Sequence, residues 1–234
     1  MIFICGIYIE ENIWQSNLIK EVVNIPNWKT HLEVGKKLNK YLKYNTKEFN
    51  MFLLGSILPD INNSHIVTDI SEKIGHDVTH IRKQKNPSYI EFYNKYLEEI
   101  INNNPIFVGY LTHIYTDEIW NAHFYKKNEI IKMKDKSHDE LRIMKQKDFE
   151  IYNSKFIDNV IEIDNITEVL EQTTKITEVS ITKEDIEKVI EFLKNQKGID
   201  GELKLHTEDE LAKLLDETII KIYEFLNVKR IDKN

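Results

Sequence analysis

The sequence has few of the residues that break regular structure, and it has a single cysteine. Only 7 glycines and 4 prolines occur among its 234 residues, and neither hairpin dipeptides nor strand alternation recur at short spacing. Cys5 alone cannot form a disulfide within the chain and gives no sign of an oxidising compartment. Alanine is limited to Ala122 and Ala212. We therefore expect an all-α protein whose helices are recognised by hydrophobic periodicity.

Long hydrophobic runs and an excess of positive charge are also missing. Residues 1–9 are apolar, but Glu10 and Glu11 follow and no basic residue precedes them, so this segment is a poor signal peptide. No stretch approaches the roughly 20 apolar residues that span a bilayer. The net charge is −7 and no run of Lys or Arg is long enough to form a nucleic-acid-binding stripe, which disfavours stable nucleic-acid binding. A cytoplasmic protein without a transmembrane segment is expected.

The chain does contain enough apolar residues for a single core. Hydrophobic residues make up 41% and aromatic residues 10% of the composition, which excludes a disordered chain. Residues 106–125 are apolar on nearly every side, a pattern typical of a helix buried in a bundle. Capping-box sequences at Thr182 and Thr207 predict two helices near the end of the chain. These patterns predict a multi-helix bundle around a buried central helix at about 106–125.

Two polar residues interrupt that apolar helix. His113 and Asp117 are four positions apart, so their side chains project from the same face. A buried imidazole and a buried carboxylate must be hydrogen-bonded, paired or bound to a metal. The spacing alone is compatible with a structural hydrogen bond and with one half of a metal site.

Further histidines and aspartates lie at expected helix starts and turns in the first half of the chain. They are His31, Asp60, His76 and His80. Each of them alone is most simply a capping or surface residue. Together with the central pair, they suggest a shared metal site with nitrogen and oxygen ligands.

The order of these residues resembles the zinc-dependent phospholipase C-like family, which is related to bacterial zinc phospholipases C and to fungal single-strand-specific zinc nucleases. The resemblance covers about residues 26–155. It rests on the motifs Trp28-Lys-Thr-His31, Leu58-Pro-Asp60, Thr79-His80, Gly109-Tyr-Leu-Thr-His113-Ile-Tyr-Thr-Asp117 and Trp120-Asn121. It implies an all-α bundle with one to three zinc ions and hydrolysis of a small phosphoester or of a phospholipid headgroup.

The resemblance also implies which residues hold the metal. One zinc would be held by Asp60, His80, His113 and Asp117, with Asp117 bridging to a second zinc on His31; Asp60 would also orient or deprotonate the attacking water. His76 competes with His80 for its place, because the two are one turn apart. A third zinc would use His123 and His138.

The sequence departs from the family pattern at two of these places. The secreted relatives use the free amine of an N-terminal Trp as a ligand, whereas Trp28 is internal. Arg142 stands where an acid is expected one turn after His138, and Asp139, Glu140 or Asp148 would have to replace that acid. Fewer than three metals, or a weakened site, would follow.

We expect the chain to consist of three parts. Residues 1–25 form an N-terminal extension, residues 26–161 form the metal-binding helical core, and residues 162–234 form a helical segment packed on the same domain.

In the central helix, Tyr110 and Tyr115 are candidates for the substrate cleft, although core positions are more common on so apolar a helix. His206, just before a helix start, is expected to be a solvated or capping residue.

Two other functions fit the same residues. An HD-type metal phosphohydrolase would use the dipeptide His76-Asp77 as paired ligands, with His31 before it and Asp117 after it. This interpretation requires metal binding by Asp77. A non-catalytic helical scaffold would keep the cluster as a structural core, with no open coordination position.

Overall fold

All regular structure in the described residues is helical. The computed structural model describes residues 28–82, 87–132, 136–156 and 161–231, and this part of the chain contains no strand, which confirms the all-α prediction. In order, the helices are α1 (Trp28–Leu42), α2 (Thr46–Gly55), α3 (Leu58–Ile61), α4 (His76–Thr79), α5 (Ser88–Lys95), α6 (Leu97–Ile101), α7 (Pro105–Lys132), α8 (His138–Asn153), α9 (Ile166–Thr173), α10 (Lys183–Lys194) and α11 (Glu208–Ile231).

Capping residues fix several helix starts. The Thr182 hydroxyl accepts from the backbone N–H of Asp185, whose carboxylate accepts from the backbone N–H of Thr182, so the predicted capping box opens α10. Thr207 and Glu210 make the same reciprocal pair at α11, with N···O distances of 2.7 and 3.2 Å. The sequence therefore predicted both helix starts near the end of the chain correctly.

The hydrophobic periodicity of residues 87–101 predicts one amphipathic helix, but the structure has two helices here. The chain leaves helical geometry at Tyr96, where φ is −115° and ψ is 33°, and α6 begins at the next residue. The Tyr96 hydroxyl donates to Glu178 at 2.6 Å and accepts from the backbone N–H of Thr177 at 2.9 Å. The helix therefore breaks at a residue that contacts a distant segment of the chain. Hydrophobic periodicity does not predict such a break.

The central helix α7 is surrounded by other helices, as the sequence predicted. It packs against α1, α2, α3, α5, α6 and α11. Tyr110 is fully buried, stacks on Phe92 at 4.5 Å between ring centroids and donates its hydroxyl hydrogen to the Thr79 carbonyl. Tyr110 is therefore a core residue. Tyr115 is half-buried and stacks on Tyr89 at 3.9 Å.

Two glycines allow α2 and α7 to touch through their backbones. A Cβ atom at Gly109 would lie 2.3 Å from the Phe52 carbonyl oxygen, and one at Gly55 would lie 2.3 Å from the Ile106 carbonyl oxygen. Any larger residue at either position would separate the two helices. The close approach brings the end of α2 against the face of α7 that carries His113.

One hydrophobic core includes residues from α1 to α11. It extends from Trp28 to Leu226, and Trp28 meets Phe192 of α10 edge-to-face at 5.8 Å. The domain boundary at residue 161 stays a prediction, and the expected extension at residues 1–25 lies outside the described residues. Among the helices described, none combines the length and apolar character needed to cross a membrane.

Candidate metal centre

The five residues expected to bind metal converge at one point in the bundle. His31 comes from α1, Asp60 from α3, His80 from the residue that ends α4, and His113 and Asp117 from α7. All five are at most 7% exposed. Asp117 Oδ1 lies 3.3 Å from His31 Nε2, and Asp117 Oδ2 lies 3.3 Å from His80 Nε2. Asp60 closes the other side, with Oδ1 3.7 Å from His80 Nε2 and Oδ2 4.0 Å from His113 Nε2.

The His113 ring is oriented by the backbone of α2. His113 Nδ1 lies 2.8 Å from the Ser56 carbonyl oxygen, which can only accept a hydrogen bond, so Nδ1 carries the proton. The other ring nitrogen, Nε2, therefore presents its lone pair to the cluster. A ligand histidine whose second nitrogen donates to a carbonyl is the usual arrangement in metal sites.

The His80 ring is oriented in a similar way by Thr79. The Thr79 hydroxyl lies 3.3 Å from the His76 carbonyl oxygen and 2.9 Å from His80 Nδ1, so it can donate to the carbonyl and accept from Nδ1–H at the same time. This assignment leaves the lone pair of His80 Nε2 facing that of His113 Nε2, 3.0 Å away. Two lone pairs at this distance, beside two carboxylates, repel each other unless a cation lies among them. The residues therefore fit a metal ion.

The protonation states agree with such a donor set. Burial, and then the charge of His31, lower the pKa of His113 to about 3, so this imidazole is neutral at ordinary pH. Burial alone would raise the pKa of Asp117, but His113, His31 and His80 lower it well below its usual range. Neutral imidazoles and ionised carboxylates are the ligands that zinc prefers.

Three overlapping sets of residues can each hold one ion. In every set the potential ligand atoms lie within 4.8 Å of one another. The sets are His31/Asp60/His113, Asp60/His76/His80 and His80/His113/Asp117. His76 and His80 were alternatives in the sequence, but both lie beside Asp60, and their rings stack at 3.6 Å.

One further residue of the site, His65, was not predicted from the sequence. His65 Nδ1 lies 3.2 Å from Asp60 Oδ1, and the same oxygen accepts from Asn63 Nδ2 at 3.0 Å. The only signal in the sequence is a histidine five positions after Asp60, in a segment without periodicity. His65 is exposed and His76 is half-buried, so the cluster reaches solvent at this end.

The expected third zinc site is not assembled by the side chains that the structure describes. His123 is half-buried, belongs to none of the three sets, and faces His206 with 6.1 Å between ring centroids. The side chain of His138 lies outside the described residues. Asp139 and Glu140, two of the suggested substitutes for the missing acid, are exposed.

Asp148, the third suggested substitute, is already engaged, and the expectation for His206 was wrong. His206 is 4% exposed rather than solvated, and its Nδ1 lies 3.2 Å from Asp148 Oδ2. The Asp148 carboxylate also accepts from the backbone N–H groups of Lys204, Leu205 and His206. The contact between His206 and Asp148, which are 58 positions apart in the sequence, holds His206 in a buried position.

The structure does not support the HD-type interpretation, which requires metal binding by Asp77. Asp77 is exposed and belongs to none of the three sets that can hold a metal. The set nearest to it uses His76 and His80 with Asp60 instead.

Comparison with known proteins gives one result. Residues 30–223 match the family model of zinc-dependent phospholipase C, and all five converging residues lie in that range. No curated protein and no solved structure gives a significant match.

Proposed function

The chain belongs to the zinc-dependent phospholipase C family, and on this premise we propose that it hydrolyses a phosphoester bond at the cluster of His31, Asp60, His80, His113 and Asp117. The observation that carries the proposal is the pair of Nε2 atoms of His80 and His113, 3.0 Å apart and between two carboxylates. Zinc ions held there would lower the pKa of a bound water and polarise the phosphoryl oxygen.

The side chains around Asp60 are suited to handling the proton of that water. Asp60 lies between the buried ligands and the exposed His65, and its Oδ1 accepts from Asn63. A carboxylate held in this way orients a water on the solvent side and accepts its proton at Oδ1. His65, 3.2 Å away at the exposed end, would donate to Asp60 Oδ1 and hold the carboxylate in this orientation.

The open end of the cluster favours an enzyme over a sealed scaffold. A structural metal site is closed by protein ligands, whereas a catalytic site keeps a position for water or substrate. The exposed His65 and the half-buried His76 border the cluster on one side. A small phosphoester or a phospholipid headgroup would enter there. The cytoplasmic location and the lack of stable nucleic-acid binding stay predictions from the sequence.

The test is hydrolysis of a chromogenic phosphodiester and of a phosphatidylcholine dispersion by the zinc-loaded protein. Asp117→Asn removes the negative charge that lies between His31 and His80. This change should lower the rate of hydrolysis by orders of magnitude. Asp209→Asn, an exposed aspartate in the first turn of α11, is the matched control and should retain full activity. Rates equal to those of a chelator-treated sample on both substrates, at full zinc occupancy, would favour the scaffold.

A further inference from the structure

Two histidines at the exposed end of the cluster surround the same carboxylate. His65 is exposed and His76 is half-buried, and neither is among the five converging residues. His65 Nδ1 lies 3.2 Å from Asp60 Oδ1, and the ring centroids of His65 and His76 are 5.6 Å apart. The ligand atoms of His76, Asp60 and His80 lie within 4.8 Å of one another. This end of the cluster therefore offers nitrogen and oxygen ligands in addition to the buried ones.

The distances around this carboxylate fit a shared metal ion. Ligand atoms that lie about 2.1 Å from one zinc ion, at angles of about 90–109°, are roughly 3.0–3.4 Å apart. His65 Nδ1 and Asp60 Oδ1 are 3.2 Å apart. Two imidazoles on one zinc ion place their ring centres roughly 5–6 Å apart at the same bond length, and those of His65 and His76 are 5.6 Å apart. When no ion is bound, the 3.2 Å separation allows His65 to donate to Asp60, so that a proton takes the place of the ion.

The chain between the two histidines is held in place by a buried asparagine. Asn62 is 0% exposed, and its Nδ2 donates to the carbonyl oxygens of Glu72 at 2.8 Å and of Ser180 at 2.6 Å. Its backbone carbonyl accepts from the backbone N–H of Ile74 at 2.9 Å. These contacts close residues 62–74 into a loop whose two ends lie together. Ligands that are held in this way bind an ion without the cost of ordering the chain.

Asp60 can serve two ions because its two oxygens face different ligands. Oδ1 is the oxygen next to His65, whereas Oδ2 lies 4.0 Å from His113 Nε2 in the buried part of the cluster. His80 Nε2 lies 3.0 Å from His113 Nε2, so His80 belongs with the buried ligands. The ions of two-metal sites are about 3.5–4 Å apart, a separation that one bridging carboxylate can span.

We propose that His65, His76 and Asp60 bind an additional zinc ion at the exposed end of the cluster, with Asp60 as the bridge to the buried ion. Three protein ligands leave a position open for water, as in catalytic zinc sites. Because the two histidines are accessible to solvent, this ion binds more weakly than the buried one and exchanges faster. Zinc binding at this place does not rest on the proposed function; a part for this ion in hydrolysis does.

Glutamine variants separate a metal ligand from a hydrogen-bond donor. The side-chain amide of His65→Gln can still donate to Asp60 but is a poor ligand for zinc. His76→Gln removes the other proposed nitrogen ligand in the same way. Asp77→Asn is the matched control, because Asp77 is exposed, follows His76 directly and belongs to none of the three sets that can hold a metal.

The experiment is calorimetric titration of the zinc-free full chain with zinc, together with elemental analysis of the loaded protein. The wild type should bind a tight ion and a weaker one. His65→Gln and His76→Gln should each weaken the second ion at least about tenfold, since losing a ligand costs no less than losing a partner that orients one. Both variants should keep the tight ion at its wild-type affinity, and Asp77→Asn should keep both ions.

Three results would overturn the proposal. Wild-type binding of both ions by His65→Gln would make His65 an orienting hydrogen-bond donor only. Loss of the tight ion in His76→Gln would make His76 a ligand of the buried ion. A wild type that binds no second ion, or a second ion that both glutamine variants keep, would mean that the exposed end holds no zinc. If one variant fails to fold without zinc, the other decides.

Hydrolysis of a chromogenic phosphodiester by the same proteins separates this proposal from the proposed function. Loss of the weaker ion in both glutamine variants, with no hydrolysis by any protein, would support the additional site and contradict the hydrolase. Hydrolysis by the wild type, with unchanged zinc binding in both variants, would do the reverse.

Discussion

At the scale of single residues, the candidate metal centre depends on groups that orient its histidines. The Ser56 carbonyl accepts from His113 Nδ1 and so directs the lone pair of His113 Nε2 inward, and the Thr79 hydroxyl can do the same for His80. Neither group is itself a metal ligand. Because such partners hold the ring in its binding orientation, losing one typically costs 10–100-fold in metal affinity.

This role of Thr79 gives a direct prediction. Thr79→Val removes the hydroxyl while keeping the shape of the side chain, so His80 loses the acceptor for Nδ1–H. We expect zinc affinity to fall about 10- to 100-fold while the helical content stays the same, measured by competition with a fluorescent chelator. The control is Thr112→Val, because the Thr112 hydroxyl donates only within its own helix, to the Val108 carbonyl at 2.8 Å. Equal zinc affinity in both variants would show that Thr79 does not orient the ligand.

At the scale of helices, the contact between α2 and α7 positions His113. The Ser56 carbonyl reaches His113 only because Gly55 and Gly109 let the two backbones approach. Side chains at this crossing would move the two helices apart, and His113 would lose its acceptor. The geometry of the metal centre therefore depends on two residues that have no side chain.

Gly109→Ala tests this dependence. The added methyl would lie 2.3 Å from the Phe52 carbonyl oxygen, so the backbone must shift. We expect a loss of at least about 2 kcal/mol in the free energy of unfolding, as for overpacked cores, together with lower zinc affinity. Both are measured by urea unfolding with and without zinc. Gly75→Ala is the control, because a Cβ there meets nothing within 4 Å. A Gly109→Ala protein with wild-type stability and zinc affinity would rule out the proposed crossing.

The sequence predicted those features of the fold and the site that depend on neighbouring positions. His113 and Asp117 are recognisable because polar residues one turn apart in an apolar helix need partners. The capping box at Thr182 is equally local. In contrast, the break at Tyr96, the burial of His206 and the contact of His65 with Asp60 depend on tertiary contacts or loop conformations that no spacing rule describes. The resemblance to a family, not periodicity, assigned His31, Asp60 and His80.

At the scale of the whole molecule, the candidate metal centre joins separate parts of the chain. His31, Asp60, His80 and His113 come from four different helices or their ends, and they span most of the first half of the sequence. Without a cation, two carboxylates and several imidazole lone pairs would face one another in a buried space. Metal binding should therefore contribute directly to the stability of the folded chain.

Removal of the metal should thus lower the stability of the entire bundle. A ligand present at one hundred times its dissociation constant stabilises the folded state by about 2.7 kcal/mol, so chelation should lower the unfolding temperature by several degrees. The measurement is thermal unfolding followed by circular dichroism, with zinc, with chelator, and with zinc restored. His80→Ala should abolish the zinc-dependent increase, whereas Lys147→Met, exposed on α8, should keep it. Elemental analysis would show whether the wild type binds one ion per chain. If it does, and its unfolding temperature is nevertheless independent of zinc, then the site binds metal without linking its four helices.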